Sequence, residues 1–79
     1  MKKIEILGMG CPKCKVLYKN AEQAVAELGI EADIVKVEEM AKIQSYGVMM
    51  TPALVIDGIV KTVGKVPSPV EISKYIKGE

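Results

Sequence analysis

The chain has 79 residues, of which 49% are hydrophobic and 27% charged, and its formal net charge is +1. A chain this short buries only about 60% of its unfolded surface, so we expect one globular domain over residues 1–79 without a deep substrate cavity. The eleven basic residues are all lysines spread along the chain, which argues against nucleic acid or an anionic membrane as a partner. The N-terminal apolar run is short and interrupted by Glu5, so neither a secretory signal nor a membrane span is expected, and we expect a cytoplasmic protein.

The first half of the chain predicts two strands and two helices. Alternating residues 3–7 indicate a strand, and apolar residues then recur at three- and four-residue steps, which predicts a helix over residues 12–28. Gly29 follows as a C-cap. The β-branched run at residues 32–37 predicts a second strand, and a short helix is expected around residues 38–46.

The second half predicts a hairpin and a final helix. In PALVIDGIVKTV the pair Asp57 and Gly58 tolerates positive φ, which favours a tight turn between two strands. Ser68, Pro69 and Glu71 have the spacing of a capping box at the start of a helix. The order β-α-β-α-β-β-α predicts an α/β fold, a four-stranded mixed sheet flanked by helices.

The two cysteines of CPKC stand at a predicted strand-to-helix junction. In a reducing compartment such a pair favours catalysis, redox sensing or metal binding over a structural disulfide. With Cys11 at the N-cap and Pro12 at the first helical position, backbone N–H groups and the helix dipole should hold the Cys11 pKa well below its usual range. Lys13 should favour the thiolate as well. Cys14 continues the apolar stripe and should face inward, an asymmetry that suits attack by one thiol and resolution by the other.

A soft-metal site is the alternative interpretation of this motif. GMGCPKC before an amphipathic helix resembles the opening of the heavy-metal-associated domains of copper chaperones. Two thiolates with Met9 in support suit Cu(I), and a zinc-bridged dimer is also open. No histidine or second cysteine pair completes a structural zinc site. This resemblance covers only about the first thirty residues. The ferredoxin-like fold of those domains needs two strands directly after the first helix, whereas here a predicted helix follows the second strand.

CPKC together with TPALVIDG resembles a different family over nearly the whole chain, the minimal, glutaredoxin-sized thioredoxin-like redox-active disulfide proteins. The resemblance implies a thioredoxin-like fold and a thiol-disulfide oxidoreductase that acts on protein disulfides through a mixed disulfide. We also expect an upstream dithiol reductase as a partner, no cofactor and a monomer. Carried over by residue, Cys11 is the nucleophile, Cys14 the resolving thiol and Pro52 a cis-proline, while Thr51 offers backbone groups to substrate. A module whose disulfide switches a bound partner is a third hypothesis.

Two further groups of residues are expected near the cysteines. Met9, Met49 and Met50 should cluster there as a soft contact patch. Glu5 has the spacing at which thioredoxins carry a buried acid, and Lys36 on the second strand is its expected partner. We hypothesise that this pair accepts and returns protons during exchange.

Overall fold

A computed structural model describes residues 2–9 and 12–78 of the chain. Its elements are β1 (Lys2–Leu7), α1 (Pro12–Leu28), β2 (Ala32–Val37), α2 (Met40–Ser45), β3 (Ala53–Ile56), β4 (Ile59–Val63) and α3 (Pro69–Lys77). The predicted order is confirmed, with α2 shorter at both ends than the expected helix. No helix in the described ranges is long and apolar enough to cross a membrane.

The four strands form one mixed sheet in the order β2-β1-β3-β4. β1 and β2 are parallel, as the α1 crossover requires, and the β1–β3 and β3–β4 pairs are antiparallel. The predicted thioredoxin-like α/β architecture is therefore confirmed.

Two apolar layers lie on opposite faces of this sheet. On one face, Ile4 and Ile6 of β1 pack with α1 and α3 around the buried Leu17. On the other face, Leu7 packs with Ile43 of α2. Successive residues of β1 therefore alternate between a helix pair and the short α2 helix.

Local chemistry sets the turn and the last helix as predicted. Asp57 and Gly58 both have positive φ, 51° and 82°, in the turn between β3 and β4. At the start of α3, Ser68 Oγ accepts a hydrogen bond from Glu71 N, and the Glu71 carboxylate accepts one from Ser68 N. The capping box is confirmed.

The sheet register brings two loops to one edge of the molecule. Leu7, the last residue of β1, pairs with Ala53, the first residue of β3. The loop that follows β1 and the loop that precedes β3 therefore leave the sheet side by side. One loop leads to the CPKC motif and the other contains Thr51 and Pro52.

Candidate functional site

The cysteine pair stands at the junction of β1 and α1. Cys11 lies outside the described residues, so its N-cap position and thiolate character stay predictions. Pro12 is the first residue of α1, as predicted. Cys14 is only 7% exposed and continues into the buried stripe of α1 with Leu17, which confirms its inward orientation.

Gly8, in the loop after β1, lies in close contact with the side chain of Cys14 on α1. A Cβ built on Gly8 would overlap Sγ of Cys14 and lie 3.9 Å from Cβ of Thr51. The Gly8 N–H donates to the carbonyl of Val37 at 3.0 Å, which fixes the loop to the end of β2. The missing side chain of Gly8 is thus what lets the Cys14 thiol approach the β1 loop.

Pro52 is the last residue of the second loop and directly precedes β3. The Thr51–Pro52 peptide bond is cis, as the family resemblance implies. Pro52 is fully buried, whereas Thr51 is exposed. The Pro52 carbonyl accepts a hydrogen bond from Gly64 N at 2.8 Å, which ties this loop to the end of β4.

A groove of about 450 Å³, here called the methionine groove, lies between the two loops and α2. Its lining residues are Met9, Met40, Ile43, Gln44, Gly47, Val48, Met49 and Thr51. Met9 and Met49 are 58% and 96% exposed, so they form an adaptable rim. Met50 is absent from this lining, and its side chain lies against Gly64 instead. The three predicted methionines therefore occupy two places.

Glu5 and Lys36 do not form the predicted pair. Glu5 is buried, and its Oε1 accepts a 2.7 Å hydrogen bond from the Tyr46 hydroxyl. The register places Lys36 beside Ile6, on the opposite sheet face. There the Lys36 ammonium lies 4.9 Å from the centroid of the Tyr18 ring. The expectation of a Glu5–Lys36 pair is wrong, because it ignored the alternation of side chains along β1.

Tyr46 is the hydrogen-bond partner of Glu5, and sequence reasoning missed it. It follows the last turn of α2, and its pKa is raised, first by the hydrogen bond to Glu5 and then by burial and the Glu5 charge. The signal available in the sequence was a tyrosine at the end of the short second helix, which had to pack on one face of a sheet that contains an acidic residue. The exposed side of α2, with Met40 and Gln44, was missed for the same reason, since the predicted helix had not been placed on a sheet face.

A second, smaller cavity lies on the α1 side of the sheet. This Cys14 cavity has a volume of about 270 Å³. Its lining residues are Ile6, Gly8, Cys14, Lys15, Lys36 and Glu38. The structure thus brings Lys36 to the same cavity as the second cysteine. Lys13 is exposed on α1, and its influence on Cys11 stays a prediction.

The metal interpretation gains no support from the architecture. Only one strand separates α1 from α2, whereas the copper-chaperone fold requires two strands there. The resemblance to those domains is limited to the opening motif.

Comparison with known proteins agrees with this architecture. Residues 2–77 match the family model of the thioredoxin domain. A thioredoxin of Methanothermobacter thermautotrophicus is 46% identical over 76 residues, which cover 96% of this chain and 99% of that protein. A thioredoxin of Methanocaldococcus jannaschii is 45% identical over 74 residues, or 94% of this chain and 85% of the relative. The chain therefore belongs to the thioredoxin family and is a thioredoxin-like disulfide oxidoreductase.

Proposed function

We propose that the chain exchanges a Cys11–Cys14 dithiol and disulfide with disulfides of other proteins. The observation that carries this proposal is the burial of Cys14 in the first turn of α1, against Gly8 of the loop that lies beside Thr51. Two-step exchange needs a shielded second thiol, as Cys14 is, and a first thiol that the target can reach, which is the role proposed for Cys11.

The exchange proceeds through a mixed disulfide. The Cys11 thiolate attacks one sulfur of the target disulfide, a new bond forms, and the other target sulfur leaves with the electron pair and takes up a proton. Cys14 then attacks Cys11, displaces the reduced target and closes the intramolecular disulfide. The target gains two electrons, and the cysteine pair loses two.

The two loops and the methionine groove supply the contact surface for the target. Pro52 has no N–H to donate, so the backbone around Thr51 is available to pair with an extended segment of the target. Met9 and Met50 add exposed, polarizable side chains that fit varied apolar neighbours. We further propose that the protein acts as a cytoplasmic monomer without a cofactor and is recharged by an upstream dithiol reductase.

An anaerobic redox titration tests the proposal directly. The Cys11–Cys14 disulfide is followed by alkylation and mass measurement against a series of thiol buffers. A single two-electron transition between about −300 and −120 mV is expected for a catalytic couple. Failure of a reversible intramolecular disulfide to form, or a need to strip stoichiometric metal first, would instead support the metal interpretation.

Cys14→Ser is expected to trap the mixed disulfide through Cys11, because the thiol that releases the target is gone. Incubation with a disulfide-containing protein should give a covalent adduct that mass spectrometry places on Cys11 and that dithiothreitol dissolves. Cys11→Ser is the matched control and should give far less adduct. Equal adduct yields from the two variants would contradict the assignment of nucleophile and resolving thiol.

Glu5→Gln tests whether the buried acid takes part in proton transfer. The amide keeps an oxygen that can accept from Tyr46 but cannot exchange a proton, so we expect a changed pH dependence of disulfide reduction with the fold retained. Glu27→Gln makes the same chemical change at an exposed position of α1 and serves as the matched control. An unchanged pH profile for Glu5→Gln would remove Glu5 from the mechanism.

A further inference from the structure

We propose that the Cys14 cavity binds small anionic thiols and lets them exchange with Cys14 from the α1 side of the sheet. The inference rests on the proposed redox role of the cysteine pair and adds a second route of access to it. Protein targets would use the methionine groove, and small thiols would use this cavity.

The two recesses are separate in space. The methionine groove and the Cys14 cavity have no lining residue in common. The groove is bordered by α2 on one sheet face, whereas Ile6 and Lys36 place the Cys14 cavity on the face that α1 covers. A molecule in the cavity would therefore leave the methionine groove accessible.

The charges around the Cys14 cavity favour an anion. Lys15 and Lys36 contribute two positive charges and Glu38 one negative charge, which leaves a net charge of +1. Within residues 2–9 and 12–78 these three side chains form no ion pair, and the ion pair found there joins Lys2 to Asp57. Because the lysines are exposed, the attraction is modest and screened by salt.

The size of the cavity limits the ligand to a small molecule. Its volume of about 270 Å³ lies below the range of about 300 to 1,000 Å³ that is usual for drug-sized ligands. Apolar Ile6 and Gly8 line it together with Cys14, and the charged groups belong to longer side chains. A short thiol with one carboxylate or sulfonate matches this distribution.

The proposed exchange balances with two thiol molecules. The first thiolate attacks Sγ of Cys14 in the protein disulfide, a bond between the small thiol and Cys14 forms, and Cys11 leaves as a thiolate. A second thiolate attacks the sulfur of the bound molecule and releases Cys14. The two thiols become one symmetric disulfide, and the protein gains two electrons and two protons.

Alkylation of Cys14 by an anionic and a neutral reagent tests this access route. Cys11→Ser leaves Cys14 as the single thiol, because the chain has two cysteines. The rate constants with iodoacetate and iodoacetamide are measured at one pH for the folded protein and for the protein unfolded in urea. We expect the iodoacetate-to-iodoacetamide ratio to be about threefold higher in the folded protein, as one net positive charge a few ångströms away would produce.

Charge variants in the same background identify the source of the preference. In the folded protein, Lys15→Gln and Lys36→Gln should each lower the iodoacetate-to-iodoacetamide ratio, and Glu38→Gln should raise it. Added salt should bring the ratio closer to that of the unfolded protein. Lys42→Gln is the matched control, since it removes the same charge from α2, and should leave the ratio unchanged. A folded ratio no higher than the unfolded one, or a Cys14 that neither reagent reaches in the folded protein, would overturn the proposal.

This outcome is independent of the proposed function. An alkylation ratio that is the same in the folded and the unfolded protein would overturn the access route and leave the result of the wild-type redox titration unaffected. Failure of the Cys11–Cys14 disulfide to form reversibly would overturn the redox role, and with it the exchange, whatever the alkylation ratio.

Discussion

Gly8→Ala is expected to lower the free energy of unfolding by about 1 to 3 kcal/mol, as overpacking of a filled site does. The added Cβ would overlap Sγ of Cys14 and lie 3.3 Å from its Cβ. Gly8 does not have the left-handed φ of the turn glycines, so the alanine backbone itself carries no penalty there. The cost comes from displacing the thiol or the first turn of α1.

Urea unfolding of a double-mutant cycle isolates that clash. In a Cys14→Ala background the sulfur is absent, so the second substitution, Gly8→Ala, should cost much less than it does in the wild type. A coupling energy of about 1 kcal/mol or more is expected between the two positions. Equal losses in both backgrounds would show that the alanine strains something other than the Cys14 side chain.

Tyr46→Phe is expected to cost about 1 to 3 kcal/mol of unfolding free energy, because it removes the hydroxyl that donates to a buried carboxylate. Glu5 is 3% exposed, so water cannot readily replace the 2.7 Å bond. The phenol ring is retained in the variant, and the loss reports the hydrogen bond rather than packing.

A second cycle supplies the control for this prediction. In a Glu5→Leu background no carboxylate remains to be satisfied, so Tyr46→Phe should be nearly neutral. Glu5→Gln keeps an acceptor for the tyrosine and should fall between wild type and Tyr46→Phe. A cost for Tyr46→Phe that stays the same in the Glu5→Leu background would contradict the proposed bond energy.

The same pair has a pH signature whose sign follows from the pKa shift. The Tyr46 pKa is raised in the folded protein, chiefly by the bond to Glu5, so folding favours the neutral phenol. The folding stability that comes from the raised pKa is fully present below the ordinary tyrosine pKa of about 10. It is lost as pH rises through the pKa that Tyr46 has in the folded protein. The stability difference between wild type and Tyr46→Phe should therefore shrink at strongly alkaline pH.

Features with a local cause were predictable from the sequence alone. The Asp57-Gly58 turn depends on two residues that accept positive φ, and the start of α3 depends on Ser68 and Glu71. The inward orientation of Cys14 follows from helical periodicity. Each of these signals lies within a few residues of the structure it specifies, so no knowledge of the distant chain was needed.

Features that depend on register were not predictable in this way. Glu5 pairs with Val35 across the β1–β2 ladder, and Lys36 is one residue further along. That single step moves Lys36 to the other sheet face, where it reaches Tyr18 and the Cys14 cavity. The methionine groove likewise required the position of α2, which no periodicity in a six-residue helix specifies.

The strand order has a consequence for how local opening affects the site. β1 and β3 are the two central strands, each hydrogen-bonded on both sides, and the loops bearing the cysteine motif and Thr51 are attached to them. In a small domain the edge strands exchange their amide protons through local fraying, which costs little free energy. The central strands exchange only through opening events of higher free energy. Fraying of β2 or β4 can therefore occur many times for each event that separates the two loops, so a chain of marginal stability can keep these loops together.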